Sequence, residues 1–491
     1  MKKSLLALLP LIGLTSCGSN IFSIFEGKIN NSPFVDKEYD GYRQVSSFSK
    51  LKSKDQELET NTLSSLFTFP SFKVMPSLGE NRLLVVPVSF ASKVEDEENK
   101  LDLIKKAFFG DKSNNQFYSV SEYYYKSSNS RFLLKGDVTS FYKSSFSLEE
   151  ISSIYGISKT KSTLTSIYND AKQWLKESNS SLYDSYFSTY GEYIPIYFIY
   201  DAPYSGLDGG VADRKSMMWA FTINDPAPIC WSSFYMGYPN DGKMDSHTYI
   251  HETGHLFGLP DYYDSYSSIS NQISPLGRMD MMDCSLGDHN CFSKTLLGWS
   301  SPYFVTSSCK INLHQGSGNN ECIIIPIESD FNPYGRYVML EYYSPTYLNY
   351  VDALQRKDNS LSLFSKPGIR AYLVDSRLAA YEGISKKGIV DENMITTNRR
   401  LTFENDNSSS SPYLIQNIDK GLNSTELPSF YYASNMNKVV NENGNLINYS
   451  STLFYEGEGI TSSFKGLEEL KYNFKVDKLT SSYASISIEA R

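Results

Sequence analysis

Apolar positions along the chain fall into two regimes. The stretches Arg82–Phe90 and Tyr193–Tyr200 are nearly continuous apolar runs, the pattern of strands buried on both faces. Between them Leu164, Ile167, Tyr168, Ala171, Trp174 and Leu175 recur at helical spacing, which predicts a long amphipathic helix with one face on a sheet. From about residue 301 the runs become short: Cys322–Ile327, Tyr337–Tyr343, Ile369–Val374 and the alternating Ala484–Glu489. Clusters of Asn, Gly, Ser and Pro separate them. The expectation is an α+β domain over 76–300, with a mixed sheet and helices, followed by an all-β C-terminal domain over 301–491. Residues 18–75 are rich in Ser, Lys, Asn and acidic side chains and have few periodic apolar positions. They read as a tether and a leader that either packs on the following domain or acts as a propeptide. No internal repeat is visible.

Length agrees with more than one unit, because 491 residues exceed what one ordinary core accommodates. The apolar content of 40% and charged content of 21% are those of a globular chain. The formal net charge of -9 and the absence of a Lys/Arg stripe argue against a nucleic-acid partner. Tyrosine is over-used, at 38 residues.

The N-terminus has its own chemistry. Met1-Lys2-Lys3 is basic, Leu5–Leu14 is almost wholly apolar, and Thr15-Ser16-Cys17-Gly18 follows. This is the anatomy of a secretory signal, too short for a span that needs about 20 apolar residues. Leu14-Thr15-Ser16-Cys17 resembles the bacterial lipobox, in which the cysteine is lipidated and becomes the new N-terminus. That resemblance implies a protein anchored to the extracellular face of a membrane through Cys17 rather than embedded in it. Five cysteines remain after Cys17, so at least one has no partner within the chain. Cys284 with Cys291, or Cys309 with Cys322, can bridge local loops; none has the CxxC spacing of a zinc site.

The strongest chemical signal is His251-Glu252-Thr253-Gly254-His255-Leu256-Phe257-Gly258-Leu259-Pro260-Asp261. Residues four apart share a helix face, so His251 and His255 can direct both imidazoles at one Zn²⁺ ion. Glu252 projects beside them as a proton acceptor. Ser246 is the expected N-cap, and Gly258 the expected left-handed terminator. The chain then turns back, which lets Asp261 reach the metal with a carboxylate oxygen. No Glu occurs from Thr253 through Asn320, which argues against a later glutamate as third ligand. Only 5 His are present, and two of them fall at the required spacing. Met217–Thr222 reads as a buried strand rather than a cleft border.

The residues His251–Asp264 (HETGHLFGLPDYYD) resemble the metal-binding helix of the immune inhibitor A family of secreted bacterial metallopeptidases. Gly277–Asp283 is similar to that family's Met-turn segment, and Gly287-Asp288-His289-Asn290 with Phe292-Ser293-Lys294 and Leu297-Gly298-Trp299 resembles its following sequence. Weaker similarity extends over roughly residues 75–380, including Ser119–Gly136 and Gly368–Leu378. The resemblance implies a metzincin-like catalytic domain with zinc on His251, His255 and Asp261, and Glu252 as general base. It places the Met-turn methionine at Met282, with Met279 and Met281 as alternatives. His289 either contacts substrate or a second ion, or is a buried hydrogen-bonding histidine. Asp264 is a candidate Ca²⁺ ligand. The implied partners are a protein or peptide substrate and, through the anchor, a membrane. A second reading, a surface adhesin or binding lipoprotein with a vestigial site, suits the tyrosine content and the β-rich half. It gives no chemical reason for keeping Glu252 beside all three ligands.

Overall fold

The computed structural model describes residues 24–46, 75–91, 93–190, 194–204, 216–224, 227–237, 242–263, 275–277, 279–327, 335–355, 363–376, 378–382, 385–389, 399–401, 413–418, 452–460, 467 and 469–491. Cys17 and its apolar run, and Asp264, lie outside them. Among the described residues no helix is long and apolar enough to cross a membrane.

Among the described residues the first strands form a hairpin, β1 (Lys37–Tyr39) and β2 (Tyr42–Gln44), and a mixed α/β region follows from residue 79. Its elements are β3 (Gly79–Ser89), α1 (Glu97–Phe109), α2 (Val120–Ser127), β4 (Phe132–Val138), β5 (Tyr142–Lys143), α3 (Leu148–Ser153), α4 (Ile157–Ser178), α5 (Ser180–Tyr190), β6 (Ile196–Tyr200), β7 (Phe221–Ile223), β8 (Ile229–Ser233), α6 (His247–Leu256), α7 (Met281–Cys284) and α8 (Cys291–Leu296). The strands form one sheet in the order β4-β3-β6-β8-β7, with β5 also paired to β3. All pairs are parallel except β7 with β8, so the antiparallel β7 closes one edge.

Both faces of this sheet are covered, which explains why β3 and β6 are apolar throughout. Leu84, Val86, Phe198 and Trp231 point to one side, where α4 packs Leu164, Ile167, Ala171 and Leu175 against them. Leu83, Val85, Tyr197 and Cys230 point to the other, where α1, α2 and α6 lie. The helical spacing of residues 164–175 therefore marks a real amphipathic helix. The stretch Met217–Thr222 departs from expectation. Met217 and Met218 are buried in a turn, and only from Phe221 does the chain enter the half-buried edge strand β7.

After residue 300 come β9 (Tyr303–Val305), β10 (Cys309–His314), α9 (Gly316–Asn319), β11 (Ile323–Pro326), β12 (Arg336–Tyr343), β13 (Gly368–Asp375), β14 (Leu378–Glu382), β15 (Ser385–Ile389), β16 (Arg399–Leu401), β17 (Ile415–Asn417), β18 (Leu453–Phe454), β19 (Gly459–Ile460), β20 (Tyr472–Leu479) and β21 (Tyr483–Ala490). An eight-stranded sheet runs β1-β2-β9-β11-β12-β13-β17, with β18 on β13, and it packs on the four-stranded sheet β10-β21-β20-β19. This part is rich in strands but also holds α9 and helical turns at residues 347–355. Side chains alternate along the larger sheet: Ile323, Ile325, Val338 and Leu340 face the smaller sheet, whereas Ile324, Tyr337 and Met339 join the core around α6 and α8. One core thus crosses residue 300. The leader also contributes, because β2 pairs with β9 and the Phe25 amide bonds the Phe109 carbonyl.

The tyrosine content has a packing explanation. Tyr123, Tyr124, Tyr186, Tyr197, Tyr200, Tyr249, Tyr262, Tyr337, Tyr342 and Tyr372 are among the largest fully buried side chains. Their hydroxyls reach internal acceptors: Tyr124 donates to the Ile250 carbonyl at 2.7 Å, Tyr123 to Gly287 at 3.0 Å and Tyr200 to Met218 at 2.6 Å. These three rings fill core volume while their polar tips are satisfied.

Candidate metal centre

Helix α6 follows β8 and carries the HETGH residues. Ser246 occupies its N-cap position, but the side chain does not cap; its hydroxyl donates to the Ala107 carbonyl at 3.3 Å. The Asp245 carboxylate takes the first-turn amide of His247 instead, at 3.1 Å. At the other end the expectation for Gly258 holds. Its φ is 88°, its amide bonds the His255 carbonyl at 2.9 Å, and the Leu259 amide reaches Gly254 at 3.3 Å. This pair of bonds is the Schellman arrangement, and it reverses the chain so that Asp261 comes back over the helix.

His251, His255 and Asp261 form the one group of ligating side chains with metal-site spacing among the described residues, their ligand atoms all within 4.8 Å of one another. His251 Nε2 lies 3.0 Å from Asp261 Oδ1, and His255 Nε2 lies 3.3 Å from it. Ligands bonded tetrahedrally to zinc at about 2.0–2.1 Å stand roughly 3.4 Å apart, so this spacing fits the ion. The outer nitrogens are also accounted for. His251 Nδ1 is 2.7 Å from the Met281 carbonyl, and His255 Nδ1 is 2.7 Å from the Leu259 carbonyl. A carbonyl only accepts, so each Nδ1 donates to it and each Nε2 is turned inward toward Asp261.

The electrostatics match a cation site. Burial opposes charge on His255, yet the Asp261 carboxylate raises its pKa from 6.5 to about 9. Burial likewise opposes charge on Asp261, but the two imidazoles hold it far below the usual carboxylate range. Glu252 is 5% exposed, and burial raises its carboxyl while His255 and His251 pull the other way without cancelling the shift. The Glu252 Oε2 accepts from Thr222 Oγ1 at 2.8 Å.

The turn after the ligand loop holds the centre from below. Asp280 caps α7, accepting from Met282 N at 2.8 Å and from the Asn290 amide at 2.6 Å. The Tyr262 amide bonds the Met282 carbonyl at 2.9 Å, so the ligand loop is fixed to the same turn. The three methionines have separate places. Met282 sulfur packs against Gly254, between His251 and His255 on the helix; Met281 supplies its carbonyl to His251; Met279 joins a different cluster with Leu286 and Tyr343.

His289 is only 3% exposed, its ring packs on Tyr123, Tyr124 and Trp299, and neither nitrogen has a hydrogen-bond partner among the described residues. Burial keeps it neutral, with a pKa well below 6.5. The ring is thus enclosed by aromatic side chains close to the centre. The cysteines Cys230, Cys284, Cys291, Cys309 and Cys322 are unbridged. Several contacts were not legible from spacing: Thr222 on Glu252, Asn224 Nδ2 on the His255 carbonyl at 3.3 Å, and the Tyr263 ring stacked beside His251 at 6.2 Å. No model of a known protein family matches the chain, and no curated protein matches it.

Proposed function

We propose that the chain is a zinc metalloendopeptidase with a metzincin-like catalytic domain, lipid-anchored at the cell surface, as its resemblance to the immune inhibitor A family implies. The observation that carries this reading is the convergence of His251, His255 and Asp261, each imidazole oriented by a carbonyl on Nδ1, with Glu252 beside them. The setting supports it. A parallel sheet ends in an antiparallel edge strand, β7, directly beside α6, and a methionine-bearing turn lies beneath the ligands. The far side of β7 carries no strand among the described residues, so an extended peptide can pair there.

Zinc, when bound, supplies Lewis acidity toward a scissile carbonyl and an attacking water. His251, His255 and Asp261 hold it. Glu252 accepts a proton from the water as it attacks and delivers that proton to the leaving amine. Its raised pKa favours a group that must be protonated midway through the cycle. The burial of so many tyrosines leaves less support for an adhesin with a tyrosine-rich surface.

The test is hydrolysis of casein or a quenched peptide by protein beginning at residue 18. The expected result is cleavage that a chelator abolishes and zinc restores. Cleavage that persists in chelator, or none by zinc-loaded protein, overturns the proposal.

A further inference from the structure

We infer that Thr222 is a positioning residue for the Glu252 carboxylate, an assignment that rests on the peptidase reading above. The backbone dictates the meeting. Strand β7 pairs antiparallel with β8 so that Thr222 lies opposite Cys230, while Phe221 and Ile223 lie opposite Trp231 and Ile229. Side chains alternate in a strand, so Phe221 and Ile223 pack with Trp231 on the α4 side of the sheet, and Thr222 and Cys230 turn toward α6. A hydroxyl is thereby placed next to the buried Glu252.

Three acceptors surround that hydroxyl: Glu252 Oε2 at 2.8 Å, the Glu252 carbonyl at 3.1 Å and Cys230 Sγ at 3.2 Å. It has one proton to give. The Cys230 thiol itself donates to the Glu252 carbonyl at 3.4 Å, and the carboxylate is both the nearest acceptor and the charged one, so the proton goes to Oε2. Among the described residues Oε2 alone of the two carboxylate oxygens accepts a protein hydrogen bond. Thr222 thus fixes which oxygen faces the protein and leaves Oε1 for the attacking water. Its hydroxyl acts by holding the base in one rotamer on a strand that belongs to the scaffold.

Thr222→Val keeps the shape and removes the donor, whereas Thr222→Ser keeps the donor. With zinc-loaded full-length mature protein and a quenched peptide, Thr222→Val is expected to lower kcat by roughly ten- to a hundredfold, the scale of a small misplacement of a catalytic group. KM, zinc content and thermal midpoint should stay near those of the parent, and Thr222→Ser should recover most of the rate. In a crystal structure of Thr222→Val the Glu252 carboxylate should leave its parental rotamer. The inference is overturned by an undiminished kcat in Thr222→Val, by Thr222→Ser failing as badly as Val, or by an unmoved Glu252. The crystallographic arm reads positioning directly, so an inactive parent would defeat the peptidase reading while Thr222 is still judged by the Glu252 rotamer.

Discussion

His251 Nδ1 lies 2.7 Å from the carbonyl oxygen of Met281, a bond that joins the helix carrying two ligands to the turn beneath it. The next residue completes the joint, because Met282 sulfur occupies the space where a side chain on Gly254 would stand. Helix, ligand loop and turn therefore form one unit.

That unit should not tolerate a methyl group at Gly254. Met282 is fully buried, and its sulfur stands where the added methyl would go. Gly254→Ala should destabilise by about 1–3 kcal/mol, the usual effect of overpacking, as measured by denaturant unfolding of the zinc-loaded protein. Adding Met282→Ala should recover part of the loss, since residues in contact are coupled. Strictly additive effects would show that the two do not meet.

His247 begins the same helix and sits between two carboxylates, Asp245 and, at 3.1 Å, Asp352. Burial opposes its charge, but the carboxylates outweigh burial and raise its pKa from 6.5 to about 10. A pKa raised by folding adds stability that is fully present below the unfolded value. Its contribution should therefore be complete below about pH 6.5 and lost as pH rises through about 10. Thermal midpoints of the parent should fall across that window more steeply than those of His247→Gln. Parallel curves would remove His247 from the account.

Periodicity and motif spacing reveal what lies close in sequence. The face of α4, the two imidazoles four residues apart and the reversal at Gly258 all follow from local geometry, and all were legible. What closes over long separations was not. His247 meets Asp352 across 105 positions and Thr222 meets Glu252 across 30, and nothing in either local sequence marks its partner. The cap at Ser246 failed because the Asp245 carboxylate accepts the His247 amide instead, while the Ser246 hydroxyl donates to the Ala107 carbonyl. The part after residue 300 read as all-β because short helical turns such as 347–355 leave no periodic signal.

Anchoring is testable apart from catalysis. Cys17→Ser should release the protein from the membrane fraction or leave it unprocessed. Unchanged partition into detergent would contradict the lipobox reading.

The Asp261 ligand separates this centre from two histidines that merely share a helix face. Asp261→Ala should lose zinc markedly after dialysis. Asp261→His should retain more than Ala, because an imidazole also binds zinc well, with Asn between them. Zinc unchanged from the parent in Asp261→Ala would exclude Asp261 as a ligand.

The most direct measurement pairs metal content with hydrolysis in Glu252→Gln, which keeps size and ligands but cannot accept a proton. The account expects about one zinc per chain and a fall in hydrolysis of at least about a hundredfold, the scale of a lost general base. Near-parental hydrolysis with zinc bound would contradict it and place the chemistry elsewhere in the molecule.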